Sequence, residues 1–225
     1  MNFLNQVGAI LWKDILTEYR TKDALTSMLI FGLLVILMFH FAFEPDSLET
    51  EKFGPGLLWM TFIFAGILGM NRAFSSEREN DSLQGLILAP VDWGAIYLGK
   101  MLANLVFMLL VESIILFCFA LFFNFSLLPH WGWMVTITLL GTLGFASVGT
   151  ILAAISMNTR MSDVMLPILL LPIALPIVIG AVESTAAILT DPPGESLRFW
   201  VKFLVVFDVI FITLPLLLFD FVLEE

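Results

Sequence analysis

Six runs of about twenty apolar residues follow one another along this chain of 225 residues, and a helix needs about that many to cross roughly 30 Å of hydrocarbon. The runs cover residues 24–43, 53–70, 101–123, 133–155, 164–182 and 200–221. With 60% of residues hydrophobic and 13% charged, too little polar surface remains for a water-soluble globule. The expected fold is therefore an all-α polytopic membrane protein, a single transmembrane domain over residues 1–225. The first run is too long for the core of a signal peptide and lacks a small-x-small cleavage site, so it reads as a retained span.

Charge placement orients the spans, because Lys and Arg near span ends stay on the cytoplasmic side while acidic residues count for little. With the N-terminus inside, Lys13, Arg20, Lys22, Arg72, Arg78, Lys100 and Arg160 are inside, and only Lys52, Arg198 and Lys202 are outside. Seven against three puts both termini in the cytoplasm. The overall balance of 20 Asp and Glu against 10 Lys and Arg gives a net charge of −10, the wrong sign for following a nucleic-acid backbone. The one cysteine, Cys118, lies inside an apolar run and excludes an internal disulfide or a CxxC redox motif.

Residues 1–23 read as an amphipathic helix on the cytoplasmic membrane surface, with Leu4, Val7, Leu11 and Ile15 on one face and Gln6, Lys13, Thr17 and Arg20 opposite. Asp14 and Glu18 interrupt the apolar face, and Trp12 and Tyr19 flank it at headgroup level. Residues 71–100 form the longest inner connection. It opens with the charged stretch Ser75-Ser-Glu-Arg-Glu-Asn-Asp-Ser82, then places Leu83, Leu86 and Ile87 at helical spacing before Pro90. Asp92 is positioned to cap the next helix, through Trp93 and Tyr97. A charged start with one apolar edge suits docking into a groove on a soluble partner, and it equally suits an interfacial connector. On the outer side, residues 183–199 form a loop whose apolar Ala186-Ala-Ile-Leu189 suggests a short re-entrant or surface helix.

Gly94-Ala-Ile-Tyr-Leu-Gly-Lys100 has the spacing of a phosphate-binding loop, but Met101 stands where Ser or Thr would hold magnesium, and bulky residues fill the loop. Any ATP must therefore be hydrolysed by another chain. No nucleophile–base pair or HExxH helix is present, so no catalytic residue and no directly bound metal or cofactor is expected. His40 and His130 fall near the outer surface, where an imidazole can ligate haem and where the Trp-rich His130-Trp-Gly-Trp133 also reads as an interfacial anchor. Glu112 and Asp208 lie within spans, where an ionisable group is by default functional or paired, and Asn104 or Ser113 are candidate partners for Glu112. Gly141, Gly144, Ser147, Thr150 and Ala154 give the fourth span small residues at spacings that permit close helix contact. Pro167, Pro172 and Pro176 in the fifth span each remove a backbone donor, which predicts a broken, interior-facing helix.

Gly54-Pro-Gly-Leu-Leu-Trp59, Asp81-Ser-Leu-Gln-Gly-Leu-Ile-Leu-Ala-Pro90 and the proline pattern of Leu166-Pro167 through Pro176 together resemble the CcmB family. This is the membrane subunit of the cytochrome c maturation ABC transporter, also called haem exporter protein B. The resemblance implies a type-2 ABC exporter permease in a bacterial inner membrane, with an N-terminal interfacial helix and a coupling helix between spans two and three. Coupling to the ATPase would fall on Glu77, Arg78, Asp81, Ser82, Leu83, Gln84, Leu86 and Pro90. Implied partners are the ATPase subunit CcmA, the haem-handling CcmC, the small CcmD and the outer haem chaperone CcmE, beside membrane lipids and a second copy of the chain. ATP would act through the partner, and haem would be handled by the complex. A permease exporting a drug, lipid or glycan, and a non-transporting scaffold for haem-handling subunits, are the alternative readings.

Overall fold

The computed structural model describes residues 2–43, 48–79, 91–123, 130–157, 162–189 and 194–223. Among them the long elements are all helices: α1 (Phe3–Thr21), α2 (Asp23–Ala42), α3 (Leu48–Glu79), α4 (Trp93–Phe122), α5 (Trp131–Met157), α6 (Ser162–Leu189) and α7 (Glu195–Leu223). Six contain stretches long and apolar enough to cross a membrane, at Asp23–Ala42, Lys52–Phe74, Trp93–Phe122, Trp131–Ser156, Val164–Ile188 and Glu195–Leu216. The chain is a polytopic all-α membrane protein. Three expected spans agree with these stretches to within a few residues, the third and the last start earlier than the hydropathy suggests, and the fifth runs on to Ile188.

In the third, α4 is already helical at Trp93, capped by Asp92, whose Oδ1 accepts the Gly94 N–H at 2.9 Å. Lys100 does not end the inner connection as expected. It is 4% exposed inside α4, its Nζ 3.8 Å from Asp14 and 5.4 Å from the Phe74 ring centre, so its charge is accommodated within the bundle. The sequence Gly94–Lys100 is thus two turns of helix, and Gly99 brings α1 close: a Cβ there would strike Ile10. The inner connection shortens from the other side too, because α3 continues unbroken to Glu79.

Burial ranks the helices from centre to edge. The α5 span is 78% buried and the α3 span 67%, whereas those of α2 and α7 are 22% buried. The reason lies in α5 itself, where Ala146, Ser147 and Thr150 are fully enclosed and Gly141 admits the Trp59 indole into the space a Cβ would need. Helices α3, α4, α6 and α7 all pack against it.

Pro167, Pro172 and Pro176 sit inside one continuous helix, contrary to the expected break. Leu166, Leu170, Ala174, Ile177 and Ala181 form a fully buried stripe at spacings of four, four, three and four, and packing of that stripe against α5 and α7 holds the helix through the lost donors. Only this side of α6 faces the interior: Pro172 is exposed, and Ile168 and Ile179 are at least half exposed. The expected outer loop also contracts. Ala186–Leu189 completes α6 rather than forming a separate surface helix, because Ser184 and Thr185 return their hydroxyls to the carbonyls of Gly180 and Ala181 and remain helical while buried.

Helix α1 departs from its expected faces. Val7 and Ile10 are buried against α4, whereas Leu4 is 79% exposed and shares an outer stripe with Trp12, Leu16 and Tyr19. The two acidic interruptions point inward. Glu18 Oε1 accepts the Leu25 N–H at 2.8 Å and so caps α2, and Lys22, at φ 60°, makes the one-residue elbow between the helices.

Candidate functional site

The chemistry of the bundle gathers along α5. Its hydroxyls and glycines meet a polar group from each of three neighbouring helices. Starting from the end that carries α1, the near end, Asn104 on α4 donates to Thr150 Oγ1 at 3.1 Å. The Tyr97 hydroxyl, also on α4, donates to the Ser147 carbonyl at 3.1 Å. Asp208 on α7 lies against Gly144, where a Cβ would fall 2.5 Å from its Oδ1. Further along, Thr142 Oγ1 donates to Glu112 Oε2 at 2.5 Å. Toward the far end, Trp59 Nε1 on α3 donates to Thr185 Oγ1 on α6 at 2.9 Å, across the face of Gly141.

Both intramembrane carboxyls are fully enclosed, Glu112 at 3% and Asp208 at 4% exposure. Glu112 Oε1 and both oxygens of Asp208 have no hydrogen-bond partner among the described residues. Asn104 and Ser113, the expected partners of Glu112, are used elsewhere: Asn104 on Thr150, and Ser113 on the Leu109 carbonyl one turn back. Thr142 takes their place because it belongs to the helix packed across from Glu112, thirty residues away in sequence. A cavity of about 10 Å³ beside Glu112, walled by Trp59, Met108 and Phe145, has room for a single water. Since Thr142 and Gly144 are two residues apart, they face roughly 200° from each other around α5. Glu112 and Asp208 therefore press on opposite sides of it, which fixes the register of α4 and α7 against the central helix.

His40 ends α2 among Phe41, Phe122 and Phe123, with ring centres 5.1 to 6.0 Å away. His130 directly precedes α5 and is half-buried. Among the described residues no three His, Cys, Asp or Glu side chains gather as metal ligands do.

The sequence matches the family described as CcmB protein over residues 5–221. The chain belongs to the CcmB family. Relatives named Heme exporter protein B span most of its length. That of Pseudomonas aeruginosa is 26% identical over 198 residues, covering 87% of each chain. That of Rhodobacter capsulatus is 27% identical over 175 residues, 78% of this chain and 80% of its own. The Bradyrhizobium diazoefficiens protein is 25% identical over 193 residues, 84% and 85% respectively.

In this CcmB chain the expected coupling positions divide. Glu77 and Arg78 fall in the last turns of α3, at the near end beyond Phe74, while Asp81, Ser82, Leu83, Gln84, Leu86 and Pro90 lie outside the described residues. In sequence the pair Asp14 and Glu18 reads only as an interruption of the apolar face, and its role appears in the fold. Their spacing of four places them on the buried side of α1, where Glu18 serves as a cap and Asp14 as the counter-charge to Lys13, at 2.9 Å, and to Lys100. Burial holds the Glu18 carboxyl above the ordinary Glu value, against the opposing pull of the Leu25 and Ala24 N–H groups.

Proposed function

We propose that this chain is the membrane subunit of an ABC haem-export complex serving cytochrome c maturation. In this reading ATP hydrolysis by a separate ATPase subunit drives release of a haem-loaded chaperone, or haem transfer, on the outer face. The observation that carries the proposal is the continuity of α3. Its 32 residues span about 48 Å, more than the hydrocarbon thickness, and run from Leu48 at the far end to Glu77 and Arg78 at the near end. A rigid helix joined at its foot to the 80–90 segment can carry a displacement there into the core, because Trp59 hydrogen-bonds α6, and Trp59 and Met70 seat on the glycines of α5. The family match and the seven-to-three distribution of cations support a bacterial inner-membrane location with both termini in the cytoplasm. The family match also supports assembly with the subunits CcmA, CcmC and CcmD and the chaperone CcmE. The phosphate-loop spacing at Gly94–Lys100 is helical, which supports ATP acting through a partner.

The test is coupling. Charge reversal at Arg78 together with Asp81, or Leu86→Asp, should leave the chain inserted and the partner ATPase hydrolysing ATP, while cytochrome c assembly falls to background. Full cytochrome assembly in both variants would overturn the reading.

A further inference from the structure

Beneath α1 the near end of the bundle encloses a cavity of about 280 Å³, walled by α1, the end of the α3 span and the first half of α4. Lys13, Arg72 and Lys100 line it from one sign, and Asp14, Glu18 and Asp23 from the other, so the lining is balanced in charge. A second cavity of about 300 Å³ opens at the elbow between α1 and α2. It adds Lys22, Thr26 and Ser27, and it shares Thr21, Asp23 and Arg72 with the first.

These charges are not equivalent. Lys100, Glu18 and Asp14 form the back wall and are committed to one another and to the cap of α2. Arg72 and Asp23 stand exposed at the shared mouth, and among the described residues neither is in an ion pair. Nearby, Thr21 and Ser27 spend their hydroxyl protons on the carbonyls of Thr17 and Asp23, which leaves their oxygens as acceptors. The depth of the mouth follows from α1. Its outer stripe of Leu4, Trp12, Leu16 and Tyr19 is 37 to 79% exposed, and such a stripe settles at the boundary between acyl chains and headgroups.

We propose that this paired cavity is a binding site for the headgroup of a zwitterionic phospholipid with a primary ammonium. The Arg72 guanidinium holds the phosphate, while Asp23 with the Thr21 and Ser27 oxygens holds the ammonium. A guanidinium fork matches two phosphate oxygens, and a primary ammonium has three protons to give to such acceptors. The same chemistry selects against the alternatives. A quaternary ammonium has no N–H to donate and favours an aromatic cage, whereas this mouth is lined by acceptors. An anionic headgroup without an ammonium could meet Arg72 and Lys22 but would bring no cation to set against Asp23 and the Thr21 and Ser27 oxygens. A lipid seated there would bridge α1, α2 and the end of α3, and so would tie the interfacial helix to the first span.

The experiment uses the full chain in mild detergent, stripped of lipid and then titrated with dioleoyl phosphatidylethanolamine, phosphatidylcholine or phosphatidylglycerol. Native mass spectrometry counts retained lipid, and the melting temperature reports binding. The expected result is retention of a single phosphatidylethanolamine with a rise in melting temperature, the other two lipids binding at least about tenfold more weakly. Arg72→Gln and Asp23→Asn should each weaken binding about tenfold, the loss of one charged hydrogen bond, with lipid-free melting temperatures unchanged. Lys52→Gln, at the opposite end, should bind as the parent does. Equal affinity for all three headgroups, or unchanged binding in both variants, would overturn the proposal. So would soluble glycerophosphoethanolamine competing as tightly as the lipid, which would make a free headgroup compound the ligand. Loss of the lipid on binding the ATPase subunit would instead assign the mouth to a protein partner.

Discussion

Glu18 acts as a counter-example to the rule that a carboxylate on an apolar helix face disturbs it. Its oxygen supplies the acceptor that the first turn of α2 lacks, and the cost is partial desolvation of the acid. The pH dependence follows from that cost. As pH rises through the ordinary Glu value the unfolded chain ionises first, while the folded carboxyl, with its raised pKa, keeps its proton. The native state then binds more protons than the unfolded one, so stability falls with rising pH until the folded carboxyl ionises as well. Glu18→Gln keeps an acceptor for Leu25 and should remove this part of the slope, measured as melting temperature against pH from about 4 to 7 in detergent. A slope identical to the parent's would mean another group is responsible. Asp14, Glu18 and Glu112 were all visible in the sequence as misplaced charges, but their partners were not. Glu112 meets Thr142 through a helix contact that no local pattern encodes, whereas the Asp92 cap, which acts two residues along its own chain, was legible in full.

Helix α6 is the element where local rules and tertiary packing oppose each other most openly. Three prolines should each cost an isolated helix about 3 kcal/mol, yet the helix runs from Ser162 to Leu189. Its buried stripe supplies the compensation. Pro172→Ala should therefore be tolerated or stabilising, since Pro172 is exposed and the change restores a backbone donor. Leu170→Ala, at a fully buried position of the stripe, should cost about 2–5 kcal/mol. Unfolding in detergent compares the two directly, and a Pro172→Ala variant as unstable as Leu170→Ala would show that bends, not the stripe, define this helix. The same contrast accounts for the outer loop: Ala186–Leu189 looked like a separate segment because its flanks are polar, but Ser184 and Thr185 satisfy their hydroxyls within α6.

At the scale of the whole molecule, α5 is the axis and α2 and α7 are the rim. The polar contacts along α5 and the charged cavities beneath α1 lie at different depths of one bundle, and α3 and α4 contribute to both. The direction of insertion is testable with the chain's own resource, a single cysteine. In a Cys118→Ala background, Thr21→Cys and Lys52→Cys, both exposed, should react with a membrane-impermeant maleimide from opposite sides, Thr21 only once the cytoplasmic face is opened. Labelling of both from the same side would reject the six-span topology.

The sequence by itself determined the number of spans, the cap at Asp92 and the small-residue surface of α5. All of these follow from transfer of side chains between water and lipid, or from bonds made within a turn or two of one chain. Only the tertiary structure decided that Lys100 is buried, that Asp14 and Glu18 face inward, that Glu112 answers to Thr142, and that α6 survives its prolines. The physical reason is that apolar side chains gain no hydrophobic transfer energy from exchanging lipid for another helix. Which helices pair, and in what register, rests on close packing at residues such as Gly141 and Gly144 and on single hydrogen bonds between residues far apart in the chain.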